Sequence, residues 1–198
     1  MEEKENLKHQ RMEKIDILIE ELVNEITEQS NNYLPLIINE NARVENYFSI
    51  IILGLFSKLK NEQIITQYKF QHHINGENRK HIDFFIIQGP NIILLELKHL
   101  AIDCEIKKNK RNINFYTSTA DQGRKVGIVE DIIKLNKIET KEITHFISLA
   151  IITNPPSTNI MEERINFLLD HSSTKDWDIK YIPSNNLNIS FLSSIKRT

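Results

Sequence analysis

Apolar residues recur at Ile15, Leu18, Ile19, Leu22, Val23 and Ile26, with acidic residues on the other side, a stripe at helical spacing that predicts an amphipathic helix over 15–26. The stripe lasts under two heptads, which favours packing on the body of the protein over pairing with a second copy, although a homodimer through this helix stays open. Pro35 and the Asn-rich stretch around it break the chain, so 1–34 reads as an N-terminal helical extension and 35–198 as the main domain. A second helix is predicted from about Ala42 to Lys60, turning Val44, Phe48, Ile51, Ile52, Leu55 and Leu59 toward a core. Glu45 sits one turn before Phe48 and Ser49, on the border of that apolar face, where a carboxylate needs a partner.

Period-two patterning takes over next, with strands predicted at Gln63 to His72, His81 to Gln88 and Asn91 to His99. Gly89-Pro90 between the last two predicts an antiparallel hairpin, and Phe84 and Ile86 alternating with Phe85 and Ile87 place it in the middle of a sheet with both faces covered. Further on, Asp121 to Ile138 reads as a helix begun by Ser118 and Thr119, weakened by Gly123 and Gly127. His145 to Thr153 is a buried strand stopped by Asn154-Pro155-Pro156, Met161 to Leu169 a short helix, and Ile179 to Ile182 and Leu187 to Leu192 edge strands. The element order implies an α/β (α+β) chain, with one mixed central sheet flanked by helices.

Three ionisable residues interrupt the otherwise apolar hairpin. A two-residue loop sets Gln88 opposite Asn91 and, counting back, Asp83 opposite Glu96, as would a four-residue loop; a three-residue loop would give Asp83 an apolar partner. Opposed side chains lie only about 4.5–5.5 Å apart at Cβ, and like charges so placed are destabilising. Two such carboxylates must share a proton, find cations or bind a metal. Lys98 lies two residues beyond Glu96, hence on the same face, and supplies part of the compensation. With Glu45 added, three carboxylates and a lysine suit a hard cation such as Mg²⁺, with Mn²⁺ as its substitute. His72, His73, His81 and His99 lie on or near the same strands but match no zinc spacing. In the same register His81 faces Lys98, where it either tunes the lysine or simply caps a strand. The plain alternative for the whole cluster is an edge hairpin carrying a surface ion pair.

Composition narrows the setting. The 198 residues are 40% hydrophobic and 26% charged with only 5 Gly and 5 Pro, as in ordinary globular proteins. Cys104 alone builds no disulfide framework and, lacking an organised histidine, is expected to be inert. The charged start MEEKENLKHQ has no apolar signal core, and the longest apolar run, Ile50 to Phe56, is far short of the roughly 20 residues of a membrane helix, so a cytoplasmic location is expected. A net charge of −2 gives no overall attraction to nucleic acid. The local basic run Lys107 to Arg111, followed by Phe115 and Tyr116, is either a phosphate-contacting patch or a solvated loop.

Ile82-Asp83 followed by Glu96-Leu97-Lys98 resembles the PD-(D/E)XK nuclease family, the restriction-endonuclease-like fold, with Ile in place of the nominal proline. Glu45 in Arg43-Val44-Glu45-Asn46-Tyr47 is similar to the family's N-terminal helix glutamate, and Gln122 or Lys125 to the polar position on the helix after the core hairpin. The resemblance covers roughly residues 43 to 154. It implies that Asp83, Glu96 and the Leu97 carbonyl hold one Mg²⁺ with help from Glu45, that Gln122 joins the catalytic set, and that Lys98 positions or deprotonates the attacking water. It further implies phosphodiester hydrolysis, in DNA ahead of RNA, by an endonuclease of restriction or phage defence, with repair or recombination second. The competing expectation is the same fold with a decayed site, serving nucleic-acid or protein binding.

Overall fold

A computed structural model describes residues 14–30, 44–73, 81–101, 118–119, 125–138, 142–153, 155, 158–184 and 189–198. Helix α1 covers 14–30 and α2 Val44–Asn61. Strands β1 (Gln67–His73), β2 (His81–Gln88) and β3 (Asn91–Ala101) follow, then a small ribbon of β4 (Ser118–Thr119) and β5 (Lys125–Val126). The chain continues through α3 (Ile128–Asn136), β6 (His145–Thr153), α4 (Thr158–Asp170), β7 (Asp178–Pro183) and β8 (Ile189–Arg197).

Six strands form one mixed sheet in the order β1-β2-β3-β6-β8-β7, in which β3 and β6 are parallel and every other neighbouring pair antiparallel. A parallel pair needs a crossover, and the chain between β3 and β6 supplies one that contains α3. Both faces are covered. On one side Ile15, Leu18, Leu22 and Ile26 of α1 and Phe48, Ile52, Phe56 and Leu59 of α2 bury against Phe84, Ile86, Leu95, Leu97 and Phe191. On the other, Ile128, Ile132 and Leu135 of α3 and Met161 and Leu168 of α4 bury against Leu94, Leu100, Ala150, Ile152 and Leu192. Coverage on two sides explains why β6 reads as a largely apolar run without alternation: all nine of its residues are buried.

The hairpin loop has two residues, with Gln88 paired to Asn91 and Gly89 at φ 55, a left-handed backbone that glycine adopts without Cβ strain. Two element starts and the place of one strand differ from the expectations. The first strand begins at Gln67 because Ile64 and Ile65 still donate to the Leu59 carbonyl, closing α2 in a turn with Gln63 at φ 62. The helix expected from Asp121 begins at Ile128, since Ser118 and Thr119 pair with Val126 and Lys125 and Gly127, at φ 144, precedes the first helical residue. The last strand is interior, not an edge: β8 lies between β6 and β7, and its serines are small enough to be buried in the sheet while giving the segment a polar look. No helix among the described residues is long and apolar enough to cross a membrane.

Candidate functional site

The β2–β3 ladder runs from Gln88↔Asn91 to Phe84↔Leu95 and stops one step short of Asp83 and Glu96. There the Leu97 amide donates to Asp83 Oδ2 at 2.8 Å, a side chain taking the bond that the ladder no longer makes. The ladder on the other side of β2 breaks at the same residue. Phe70↔Phe84 and His72↔Ile82 flank Asp83, while Gln71, the residue between them, has no paired partner and a φ of 50, which few non-glycine residues adopt. Ile82 buries on the α3 side, whereas Phe84 and Ile86 bury on the α1/α2 side, so the alternation of β2 itself changes at Asp83.

Past this break β3 keeps β6 as its partner through Ala101. Its even-numbered residues face α3, with Leu94 and Leu100 in that core and Glu96 and Lys98 between them. Glu96 is 4% exposed and its Oε1 accepts from Lys134 Nζ, which also donates to the His81 carbonyl. Lys98 Nζ lies 3.5 Å from Asp131 Oδ2 and 4.0 Å from Glu45 Oε2. Asp131 and Lys134 stand three residues apart on α3, hence on one face of it, so two ion pairs cross between α3 and β3: Lys134 to Glu96, and Lys98 to Asp131. From the opposite side, the first turn of α2 brings Glu45 Oε2 to 3.3 Å from the His99 amide. The packing of Phe48 against the His99 ring, centroids 5.9 Å apart, holds that turn over β3. Glu96 neighbours Ser148 in the β3–β6 register and Ser148 neighbours Ser194 in the β6–β8 register, extending a polar row across the sheet.

Burial, and then the nearby Asp83, push the Glu96 carboxyl up to about 8, against the opposing pull of Lys134. Burial likewise raises Asp131 to about 6, with Lys98 and Lys134 holding it down. Burial alone would lower Lys98, but Asp131, Glu45, Asp83 and Glu96 together outweigh it and raise its pKa, so this ammonium stays charged. A cationic Lys98 is suited to orienting water or phosphate and to stabilising negative charge, and unsuited to accepting a proton at neutral pH.

Of the residues singled out in the sequence, Asp83, Glu96, Lys98 and Glu45 come together, from β2, β3 and α2. Leu97 lies among them, with its amide on Asp83 and its position in the ladder opposite Leu149. Gln122, Cys104 and the basic run 107–111 with Phe115 and Tyr116 lie outside the described residues, and Lys125 is described only as part of β5. His81 does not face Lys98, because the β2–β3 ladder has already ended; it pairs with His73 on β1, ring centroids 3.9 Å apart. His99 is lowered to about 4 by burial and bonds Thr153 at 2.9 Å. Asp131 and Lys134 are the residues that the sequence reading passed over. The signal was there: Asp131 falls within the stripe Ile128, Ile132, Leu135, a carboxylate on the buried face of a helix.

Among the described residues, no group of three or more His, Cys, Asp or Glu side chains stands at the spacing of a metal site. The chemistry of the donors nonetheless fits a hard divalent ion: four carboxylates against two ammonium groups, with Asp131 Oδ2 buried and without a hydrogen bond. Comparison with known proteins finds no matching family model, no similar curated protein and no similar solved structure.

Proposed function

We propose that this chain is a magnesium-dependent nuclease of the PD-(D/E)XK kind, with a restriction-endonuclease-like fold. The observation that carries the reading is the convergence of Asp83, Glu96, Lys98 and Glu45 where β2 parts from β3. The order of helix α2, hairpin, helix α3 and parallel strand β6 supports the same reading. Asp83, Glu96 and the Leu97 carbonyl would hold Mg²⁺, with Mn²⁺ as substitute, and Glu45 would add a further oxygen. When bound, the ion supplies Lewis-acid polarisation of the phosphoryl group and acidifies water.

The chain's own part is electrostatic and positional. Lys98, kept charged by its carboxylate neighbours, orients the water and stabilises the charge that develops on the phosphoryl oxygens. The water oxygen bonds to phosphorus as one of its protons passes to solvent, the bond from phosphorus to the 3′-oxygen breaks, that oxygen takes up a proton from solvent, and a 5′-phosphate and a 3′-hydroxyl remain. DNA is the first-choice substrate, and restriction or phage defence in the cytoplasm the first-choice setting.

The test is to incubate purified protein with supercoiled plasmid, linear duplex and single strands, with Mg²⁺ or with EDTA. Mg²⁺-dependent cutting is expected, reduced on the order of 10²-fold or more in Asp83→Ala. Equal cutting by both proteins, or cutting that persists in EDTA, would overturn the reading. The crossed lysine pairs favour one alternative, in which Lys134 and Lys98 permanently neutralise the cluster and the same fold serves nucleic-acid or protein binding without turnover. Calorimetric titration with Mn²⁺ separates the two, since a permanently neutralised cluster takes up no metal.

A further inference from the structure

We propose that Lys134 is a resident counter-cation that competes with the divalent ion for Glu96 and so sets the metal affinity of the site, an inference that rests on the metal-dependent reading above. Lys134 Nζ bridges the His81 carbonyl on β2 and Glu96 Oε1 on β3, at the place where the two strands separate. An ammonium is a compact point charge with three donors, and here it satisfies a carboxylate that burial and Asp83 both make costly to ionise. A divalent ion held by Glu96 would be repelled by this ammonium charge, so one would have to leave for the other to enter.

The two lysines of the cluster are not equally free to leave. Lys98 projects from the sheet and has carboxylates on two sides, Asp131 and Glu45. Lys134 sits in the last turn of α3, has 28% of its side chain exposed, and has Glu96 as its close acidic partner, so withdrawing it to solvent breaks one ion pair and one bond to a carbonyl. Such a lysine keeps the buried acid compensated in the metal-free protein and yields when metal arrives. The apparent affinity is then the intrinsic affinity multiplied by the fraction of molecules in which Lys134 is withdrawn.

The test measures Mn²⁺ binding to the full chain, by calorimetry or electron paramagnetic resonance, for the wild type, Lys134→Met, Lys134→Gln and Lys134→Arg. Removal of the charge is expected to tighten binding about tenfold, as for a ligand relieved of a competitor present nine-tenths of the time, while arginine leaves the affinity at the wild-type level or weaker. Equal or weaker binding in the methionine and glutamine variants overturns the proposal and leaves the metal-dependent reading standing; no Mn²⁺ binding in any of the four overturns both. A second measurement needs no variant: mild acetylation of wild-type protein, read by mass spectrometry, is expected to modify Lys134 several-fold faster when Mg²⁺ is bound, with Lys98 unchanged. Unchanged labelling of Lys134 in protein shown to bind metal overturns the competition.

Discussion

The two ends of the β2–β3 hairpin follow different rules. From Gln88↔Asn91 to Phe84↔Leu95 the ladder is regular, the side chains alternate between two apolar cores, and Phe84 meets Phe56 edge-on at 5.4 Å. One residue further on, the pairing of β2 with β3 ends, its pairing with β1 skips Asp83 before resuming at Ile82, Gln71 turns left-handed, and side chains replace main chain as bonding partners on β3. The closed end specifies register and supplies stability. The open end uses that register to bring like charges together, at a cost that only a firmly built neighbour can offset.

The contrast can be broken most forcefully at the closed end. Phe84→Ala removes a fully buried ring and is expected to lower stability by about 3–5 kcal/mol in urea unfolding. A loss well below this range would mean that the ladder, and not the packing beneath it, holds the hairpin.

At the open end the expected signature is a pH dependence of sign opposite to that of an ordinary salt bridge. Because Glu96 is raised from 4.5 to about 8 in the folded chain, the native state holds more protons than the unfolded one between those values, and stability should fall as pH rises through that window. Asp131, raised from 3.8 to about 6, adds the same sign at lower pH, whereas the raised Lys98 matters only on the alkaline side of its ordinary value of 10.5. Chemical denaturation from pH 5 to 8 should show losses of up to about 1.4 kcal/mol per pH unit per group, flattened in Glu96→Gln. A rise in stability over that range would contradict the burial of this carboxyl.

Asp131→Asn sharpens the comparison further by removing the nearest carboxylate of Lys98. The lysine should titrate lower, and Mg²⁺-dependent cleavage should fall about tenfold with an alkaline limb shifted to lower pH. A pH profile identical to wild type would detach α3 from the site. The smallest expected effect lies at the kink: Gln71→Gly removes the Cβ penalty of a left-handed residue, and stability should rise by up to about 1 kcal/mol, or stay level where the greater freedom of the unfolded chain cancels the gain. A clear loss of stability would show the glutamine side chain to be a required contact.

The same division governs what could be read from the sequence. Period-two patterning and Gly89-Pro90 marked the hairpin but left its register conditional on the loop length, which the structure fixes at two residues, and the largely apolar run HFISLAIIT matched the bounds of β6, because strands covered on both sides admit few polar residues. The role of β8 was hidden because Ser190, Ser193 and Ser194 suggest exposure, while position in the sheet is decided by the strands on either side. Asp83, Glu96 and Lys98 stood out as charges within apolar strands. Asp131 was marked only by its place within the stripe Ile128, Ile132, Leu135, and Lys134 not at all, since a mixed charged helix is ordinary until the partner across the gap is known. The extent of the first pairing break, which moves His81 away from Lys98 and onto His73, depends on the divergence of whole strands and has no local sequence mark.

The amides of Leu97 and His99, two residues apart on β3, donate to the carboxylates of Asp83 and Glu45. Among the described residues, two acids thus stand in for a neighbouring strand along the stretch of β3 that β2 abandons. An uncovered strand edge is a template for intermolecular pairing. The same carboxylates therefore guard the chain against joining its own copies edge to edge, and their joint replacement by alanine should leave a protein that self-associates through β3 as well as one with an altered charge cluster.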